Sequence, residues 1–592
     1  MIANLVVLGG VLLVAYLWSA QGLFSALLHM ACTIVAGAIA FAVWEPVTYA
    51  FLLGMQQDMA WGLGLIGPFV VSLLALRIAL DKLIPANLQF EQGPNLLGGA
   101  ALGAVSGVIT VGVLLIGVGF MRMPAKILGY SPVGYDKTGN VTRSAGVSLW
   151  LPADALTAKL YERLSTGALA TSTPLAKLQP DAQLQAGELR LTFGDGKVRL
   201  SKVTIKPDEF EVIGRYDVSA DNPRDLFKDS FFLSKGGDKI PQTVVLIDGS
   251  TPSPGTKLVG YVIKFGPGAR EKEGQVIVGA GQLRLLSKTR DGGLVETHPV
   301  AVVSRAEGKS LRASRFRFDA PDVFIASVGG ASESQMAFEF PAPAGVTPKW
   351  LLVKNVRVDV AAVPAIPIAQ EAAISPEARD EAIRAGAILG GGVNLADLDS
   401  SDATEIRTVG NDFEPSREGF RVTSSLGAFQ FRRQSAGGFE LDEDHNIING
   451  QKTFSKEAFD TRGAPQNLLV KEFAQDANVR IVQIDVSMDR KHSIIGRSFE
   501  MVENILPPAL VDSIGQRYDA VGWIFDDGGQ VDVRFTPGRP VRALAELPQL
   551  SRSKPNQKLQ LIFRVTSGVE LTAFTLGSRV IVSYKPPIKV GR

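Results

Sequence analysis

The sequence predicts a multidomain protein with an N-terminal all-α four-helix transmembrane bundle followed by all-β antiparallel sandwich domains. Two observations predict this fold class. The first fifth of the chain carries four long apolar runs, whereas the rest carries many short alternating runs separated by glycine and proline. The chain has 592 residues and a mean hydropathy of +0.16. Because the four apolar runs all lie in the first fifth, the excess of apolar residues is concentrated at the N-terminal end.

The four apolar runs have the composition of membrane-spanning helices. Crossing about 30 Å of hydrocarbon takes roughly 17–25 helical residues. The second and fourth runs reach that length alone, and the first and third need their flanking residues. A signal peptide is the less favoured interpretation of the first run, because no positively charged region precedes it and three more runs follow. The runs cover residues 4–18, 22–44, 61–76 and 96–121.

The fourth run contains a stripe of small residues. Gly99, Gly103 and Gly107 recur at every fourth position. Such spacing makes a flat helix face that lets another helix approach closely. The stripe predicts either a dimerisation face or packing inside the same bundle, and packing inside the bundle is the favoured alternative.

Three ionisable residues are candidates for a functional role in the bundle. His29 lies well inside the second run, Glu45 ends that run and Arg77 closes the third. An ionisable side chain at membrane depth is costly, so each of them is a candidate for proton relay, transport or partner binding. The more common role of such a histidine is a hydrogen bond to a neighbouring helix.

Three features occur together in residues 1–125: the four hydrophobic segments, a tight first turn at Gly22 followed by Leu-Phe-Ser-Ala-Leu-Leu, and the glycine-rich opening of the fourth segment from Asn95 to Gly107. Together they resemble the colicin V production protein (CvpA) family of membrane proteins. The resemblance implies a bacterial inner-membrane location with a large C-terminal region in the periplasm. Lys and Arg residues flank both ends of the helices, so charge alone does not decide the orientation.

The spacing of apolar residues changes beyond the bundle. Residues 148–164 have one apolar face at helical spacing, which predicts an amphipathic helix lying either in the membrane interface or on the following domain. Alternation from residue 187 predicts a hairpin, and later runs, among them 257–265 and 428–432, predict two sandwiches of immunoglobulin-like type. The predicted domains are the bundle 1–125, a juxtamembrane segment 126–180, sandwich 181–362, a linker 363–412 with a short helix at 375–386, and sandwich 413–592.

The two predicted sandwiches end in similar sequences. Phe338-Glu-Phe340 precedes Gly345-Val346, and Phe563-Arg-Val565 precedes Gly568-Val569. A final β-hairpin is predicted after each of these segments, and any final β-hairpin would have a similar pattern. This similarity leaves open whether the two regions arose by duplication.

No catalytic constellation is recognisable in the sequence. A Ser-His-Asp hydrolase needs a histidine base, and the histidines outside the bundle, His298, His445 and His492, lie in no recognisable motif. The acidic stretches 397–405 and 442–445 have oxygen ligands for a cation, but solvated turns are the favoured interpretation. We therefore expect no catalytic, cofactor-binding or metal-binding residues, and no cofactor.

Charge and composition narrow the partners. The chain has 61 Lys and Arg against 59 Asp and Glu, which argues against a nucleic-acid surface spread over the whole protein. The single cysteine, Cys32, excludes an intramolecular disulfide. The predicted partners are the lipid bilayer and a protein or envelope polymer, with a homo-oligomer left open.

The predicted function is that of a non-enzymatic inner-membrane protein. Its periplasmic sandwiches would bind a protein or envelope component, in envelope maintenance, secretion or toxin production. One alternative is a transporter or channel component that uses the bundle. A second alternative is a membrane-anchored hydrolase with an unrecognised site.

Overall fold

The computed structural model has apolar helices in its N-terminal part and antiparallel sheets in its C-terminal part, as the sequence predicts. It describes residues 2–84, 88, 90–135, 141–142, 146–170, 175–190, 202–218, 231–233, 239–241, 246, 256–271, 276–306, 312–318, 324–326, 334–366, 395–407, 419–475, 479–494, 507–513, 515–551 and 553–591. The predicted linker helix at 375–386 lies outside these ranges. The predicted domain boundaries stay predictions.

Four helical spans in the described residues are long and apolar enough to cross a membrane, with 20 to 33 residues and a mean hydropathy of 2.0 to 2.3. They confirm the four predicted runs and extend each of them. The second span continues past α2 through a π-helical turn and a final short turn, α3. The bundle helices are α1 (Ile2–Gln21), α2 (Leu23–Val47), α3 (Leu53–Met55), α4 (Ala60–Leu83) and α5 (Gln92–Gly119).

A side-chain cap joins the first turn of the bundle to the start of α5. Gly22 has a φ of +85°, a conformation that favours glycine. The Leu23 backbone N–H, which opens α2 and has no partner within the helix, donates to Asn95 Oδ1 at 2.7 Å. A Cβ at Gly22 would lie 2.7 Å from the same oxygen. Gly22 and Asn95 therefore form one structural unit.

Among the described residues, three further helices pack on the bundle ahead of the first β region. The amphipathic helix predicted at 148–164 is confirmed as α6, which packs on α5 and α2; its predicted place in the membrane interface stays a prediction. Tyr161 Oη donates to the backbone oxygens of Thr33 and Ile34, both at 3.2 Å. The helices are α6 (Ala153–Thr166), α7 (Leu175–Leu178) and α8 (Ala182–Arg190).

The predicted hairpin from residue 187 is wrong over its described part. Gly187–Arg190 is the last turn of α8, and residues 191–200 lie outside the described ranges. Ala182, Ala186 and Leu189 are buried together in the core of the bundle. Their spacing of four and three residues is helical, and burial of this face outweighs the short alternation that Leu189 begins.

The first β region is an antiparallel sandwich, as predicted. In its described strands, one sheet has the order β11-β10-β13-β6-β3 and the facing sheet has the order β15-β14-β8-β9. Tyr261, Phe338 and Phe340 from the first sheet pack on Leu285 and Leu351 from the second. The strands, with the small pair that precedes them, are β1 (Gly134–Tyr135), β2 (Val141–Thr142), β3 (Phe210–Val218), β4 (Phe231–Leu233), β5 (Lys239–Pro241), β6 (Lys257–Phe265), β7 (Ile277–Gly279), β8 (Leu283–Lys288), β9 (Leu294–Thr297), β10 (Ala301–Ala306), β11 (Arg312–Arg317), β12 (Phe324–Ala326), β13 (Ser334–Ala342), β14 (Thr347–Val353) and β15 (Val356–Asp359).

The second β region has two sheets that share the long strand β24. One path runs β17-β22-β26-β24-β25-β20-β19, and the other runs β16-β28-β27-β23-β24. Trp523, Phe563 and Phe574 belong to the core between them. The predicted strand at 428–432 is reduced to two residues, because Gly427–Phe429 is a 3-10 turn. The strands are β16 (Thr404–Arg407), β17 (Phe420–Val422), β18 (Phe431–Arg432), β19 (Phe439–Leu441), β20 (Ile447–Ser455), β21 (Leu469–Val470), β22 (Val479–Asp485), β23 (Pro508–Asp512), β24 (Arg517–Asp526), β25 (Gln530–Phe535), β26 (Lys558–Thr566), β27 (Glu570–Leu576) and β28 (Arg579–Lys589).

The two β regions end with the same topology. In the first, β13 lies in one sheet and the β14–β15 hairpin lies in the other; in the second, β26 and the β27–β28 hairpin are arranged in the same way. Each crossover turns at a glycine with positive φ, +82° at Gly345 and +86° at Gly568. The similar sequences therefore fold into similar units, and duplication stays a prediction.

Candidate functional site

The first β region contacts one end of the bundle through the β14–β15 hairpin. Arg357 Nε and Nη2 donate to the two oxygens of Glu45, at 2.9 and 3.2 Å. The Arg357 backbone N–H donates to Tyr49 Oη at 2.9 Å, and its guanidinium lies 5.4 Å from the ring centre of Trp350. A two-pronged charge-assisted contact fixes orientation as well as distance. Glu45 therefore positions the sandwich on the bundle.

A second set of polar contacts links the same end of the bundle to the segments around β3 and β6. Trp61 Nε1 donates to Thr204 Oγ1 at 3.0 Å. Arg122, just beyond α5, lies 3.2 Å from Asp58 in the α3–α4 connection and 3.2 Å from Glu271 in the β region. One guanidinium thus joins two membrane helices to the sandwich.

The turn of the β14–β15 hairpin is buried at this junction. Lys354 and Asn355 have φ values of +47° and +70°, and they are 0% and 2% exposed. Lys354 Nζ makes no hydrogen bond. Removal from water lowers the pKa of Lys354 to about 8, and the nearby Glu271 carboxylate opposes that effect. A buried, poorly compensated ammonium group is therefore part of the junction.

The glycine stripe lies against α1 inside the bundle. A Cβ at Gly99 would lie 2.8 Å from the Trp18 backbone oxygen, one at Gly103 would lie 3.0 Å from Ala15 Cα, and one at Gly107 would lie 3.0 Å from the Val11 backbone oxygen. The absence of side chains therefore allows α5 and α1 to touch at the backbone. The stripe has the intramolecular role that the sequence favoured.

Of the three ionisable candidates, His29 and Arg77 lie together towards one end of the bundle and Glu45 lies at the other. The His29 ring stacks on the Trp18 ring, with 4.0 Å between the ring centres, and the Arg77 guanidinium lies 5.0 Å from the centre of the Trp18 ring. Arg77 also pairs with Asp81 at 2.7 Å. Glu45 is 16 residues beyond His29 in α2, which corresponds to about 24 Å of helix. The structure brings His29 and Arg77 together and separates Glu45 from them.

Apolar side chains fill the bundle between these polar ends. Trp44 packs edge-on against Trp61 at 5.9 Å and against Phe120 at 4.9 Å. Trp44 Nε1 donates to the Trp61 backbone oxygen at 2.6 Å, so the indole N–H has a hydrogen-bond partner. Ile109, Val113 and Ala36 belong to the same core. The described core is therefore mainly apolar, with Thr33, Thr48 and Ser106 among its buried polar side chains.

A cluster of metal-ligand side chains lies where α8 meets the first β region. His298 Nε2 lies 3.6 Å from Glu188 Oε2 and 3.5 Å from Glu296 Oε1. Arg284 Nη1 and Gln185 Nε2 donate to the other oxygen of Glu296, at 2.9 and 3.0 Å. Of the described residues, these two glutamates and the histidine are the one group of three such ligands close enough to share an ion.

Sequence reasoning missed this cluster. Glu296 and His298 are two residues apart at the end of β9, so alternation alone places both on one face. Glu188 lies 108 residues earlier and was assigned to a strand, whereas it belongs to α8. A Glu-x-His pair at a strand end was the available signal, and no local pattern could have supplied the third residue.

The other candidate ligands are engaged in local structure. Asp442 accepts the Asn446 backbone N–H at 2.7 Å, so the 442–445 stretch is a hydrogen-bonded turn. In the 397–405 stretch, Asp402 pairs with Arg579 at 2.8 Å. His492 is buried in the second β region and its Nε2 lies 3.0 Å from Tyr584 Oη. None of these described contacts arranges a shared ligand.

An open groove of about 1010 Å³ lies beside the edge strand β17 in the second β region. Its floor includes Arg421 and Gln483, which face each other across the β17–β22 pair. The aromatic rings of Phe429 and Phe459 meet at 5.5 Å on one side, and Lys558 is exposed on the rim. Amide, aromatic and cationic groups together suit a polar ligand that carries negative charge.

Comparisons of the chain with protein-family models, with curated proteins and with solved structures give no match.

Proposed function

We propose that the chain is a non-enzymatic anchor protein of a bacterial inner membrane, similar in its first part to the CvpA family. Its bundle holds the β regions on the periplasmic face, where they bind a protein or an anionic envelope polymer. One observation carries the proposal: the first β region rests on one end of a bundle whose described core is formed mainly by apolar side chains. Such a bundle is suited to support a domain.

The transporter alternative is less well supported by the same geometry. A transport path needs polar groups that follow one another through the membrane. His29 and Arg77 contact Trp18 at one end, whereas Glu45 is engaged by Arg357 at the other. The bundle therefore offers a docking contact where the sequence suggested a relay.

The groove beside β17 is the proposed binding surface. Its open edge strand can add a partner strand, or Arg421 can bind an anionic group of a polymer. Lys558 and the ring of Phe459 would contribute charge and stacking.

We expect a groove variant to lose function while its fold is retained. The gene is deleted in the native host, and restoration of envelope integrity is measured as exclusion of a dye that intact cells do not admit. The double variant Lys558→Glu and Phe459→Ala should fail to restore exclusion. The matched control Lys554→Glu reverses the charge of another exposed lysine nearby that does not line the groove, and it should restore exclusion fully.

Two results would contradict the proposal. Full restoration by the groove variant would remove the groove from the function. Normal dye exclusion in the deletion strain would remove the role in the envelope. Membrane amounts of each variant, measured in the same cells, separate lost binding from lost protein.

A further inference from the structure

We propose that Glu188, Glu296 and His298 form a binding site for one divalent transition-metal ion, with Zn²⁺ as the best fit, at the junction between α8 and the first β region. Nothing in the proposed function requires this site. It stands on the geometry of the three side chains, on the orientation of the imidazole and on the burial of the ligands.

The separations between the ligand atoms match metal coordination better than direct hydrogen bonds. A salt-bridging imidazole would lie at about 2.7–2.9 Å from a carboxylate oxygen. Here the two distances from His298 Nε2 are 3.6 and 3.5 Å. Ligands at about 2.1 Å from a tetrahedral Zn²⁺ are about 3.4 Å apart. All three ligand atoms lie within 4.8 Å of one another.

The imidazole of His298 is oriented as a metal ligand. Its Nδ1 lies 3.4 Å from the Ala280 backbone oxygen, and because a carbonyl only accepts, Nδ1 carries the proton. Nε2 faces the two carboxylates and makes no hydrogen bond, although His298 is only 7% exposed, and in the metal-bound form it would present its lone pair to the ion. A backbone carbonyl that holds the second ring nitrogen is the usual outer partner of a ligating histidine.

The ligands of the cluster are buried and held in place. Arg284 donates to Glu296 Oε2 and to Gln179 Oε1, both at 2.9 Å, which leaves Glu296 Oε1 as the oxygen nearer to His298 Nε2. Glu188 is 1% exposed and the Arg284 side chain is 3% exposed, so water screens their charges poorly. Nitrogen and carboxylate ligands together suit Zn²⁺ and its first-row neighbours.

The position of the site indicates what the ion would do. Glu188 belongs to α8, whose other face packs in the core of the bundle, whereas Glu296 and His298 belong to the sandwich. An ion bound to all three would join the membrane part to the first β region. Metal binding should therefore stabilise the docked arrangement.

The test uses the full-length chain in detergent, purified through a tag without histidine, stripped with chelator and titrated with Zn²⁺. We expect one Zn²⁺ per chain and a higher melting temperature in its presence. His298→Gln and the nearly isosteric Glu188→Gln should each weaken Zn²⁺ binding by more than about 100-fold, beyond the 10–100-fold typical of outer-sphere changes. His445→Asn, at a partly exposed histidine with a positive φ, is the matched control and should bind as the wild type does.

Co²⁺ provides a readout that needs no variant. Bound to the wild-type chain, it should show the strong visible absorption of four-coordinate Co²⁺, and Zn²⁺ should displace it. The proposal is overturned if the folded wild type retains no stoichiometric Zn²⁺, if Glu188→Gln binds it unchanged, or if Co²⁺ gives only the weak spectrum of the hydrated ion.

Discussion

Gly103→Leu is expected to prevent the bundle from packing. A Cβ at this position would lie 2.9 Å from Trp18 Cβ and 3.0 Å from Ala15 Cα, both in α1. The backbone of α1 cannot move aside locally, because Gly99 and Gly107 hold it at equally short distances. Overpacking of a tight core costs about 1–3 kcal/mol and sometimes more, and a leucine against the backbone should reach the upper end.

The measurement is the melting temperature and the monodisperse fraction of the full chain in detergent. Gly9→Leu is the matched control, since it makes the same change on the other helix of the pair, where a Cβ meets nothing within 4 Å. That variant should stay within about 0.5 kcal/mol of the wild type. Equal melting temperatures for the two variants would contradict the close contact between α5 and α1.

Lys354→Met is expected to stabilise the protein at neutral pH and to remove a dependence on alkaline pH. Burial lowers the pKa of Lys354 from 10.5 to about 8. At about 1.4 kcal/mol per pKa unit, the charged ammonium then costs the folded state about 3 kcal/mol. Methionine fills a similar volume without charge, and Glu271 keeps its contacts to Arg122 and to the Lys202 backbone N–H.

The sign of the pH dependence follows from proton binding. Between pH 8 and pH 10.5 the unfolded chain holds the Lys354 proton and the folded chain does not, so the stability of the wild type rises with pH in that window. The difference in melting temperature between Lys354→Met and the wild type should therefore be largest below pH 8 and should shrink towards pH 10. A difference that is constant with pH would contradict the buried charge.

The sequence predicts the elements whose periodicity is long or strictly alternating. The four apolar runs all form helices, and β6 has the predicted bounds of 257–265, because its residues alternate between two buried faces. The end of α8 was assigned wrongly because Leu189 belongs to both a helical and an alternating pattern, and the choice depends on the bundle against which it packs.

The candidate site could be predicted only in part. The glycine stripe was found because its spacing is local, whereas its contact with α1 is visible only in the structure. Glu45 was identified as an unusual carboxylate, but its partner Arg357 is 312 residues away in the chain. A separation of 110 residues in the sequence likewise hid the approach of Glu188 to His298. Pairings of this kind are set by how the sandwich docks on the bundle, and no local pattern encodes them.

The central claim is that four helices cross the membrane and place the β regions on one side of it. Labelling with a membrane-impermeant maleimide tests this claim most directly. Cys32 is the single cysteine of the chain, so Cys32→Ala provides a cysteine-free background. Ser553→Cys then marks the second β region, and Glu91→Cys marks the connection between α4 and α5 at the far end of the bundle; both positions are exposed.

In intact spheroplasts, we predict that Ser553→Cys is labelled and that Glu91→Cys is labelled only after the membrane is permeabilised. Labelling of Glu91→Cys alone would keep the four spans and reverse their orientation, which would contradict the periplasmic placement. Labelling of both positions from the same side would contradict the four-span bundle, because α5 alone would then not cross the membrane between the two residues.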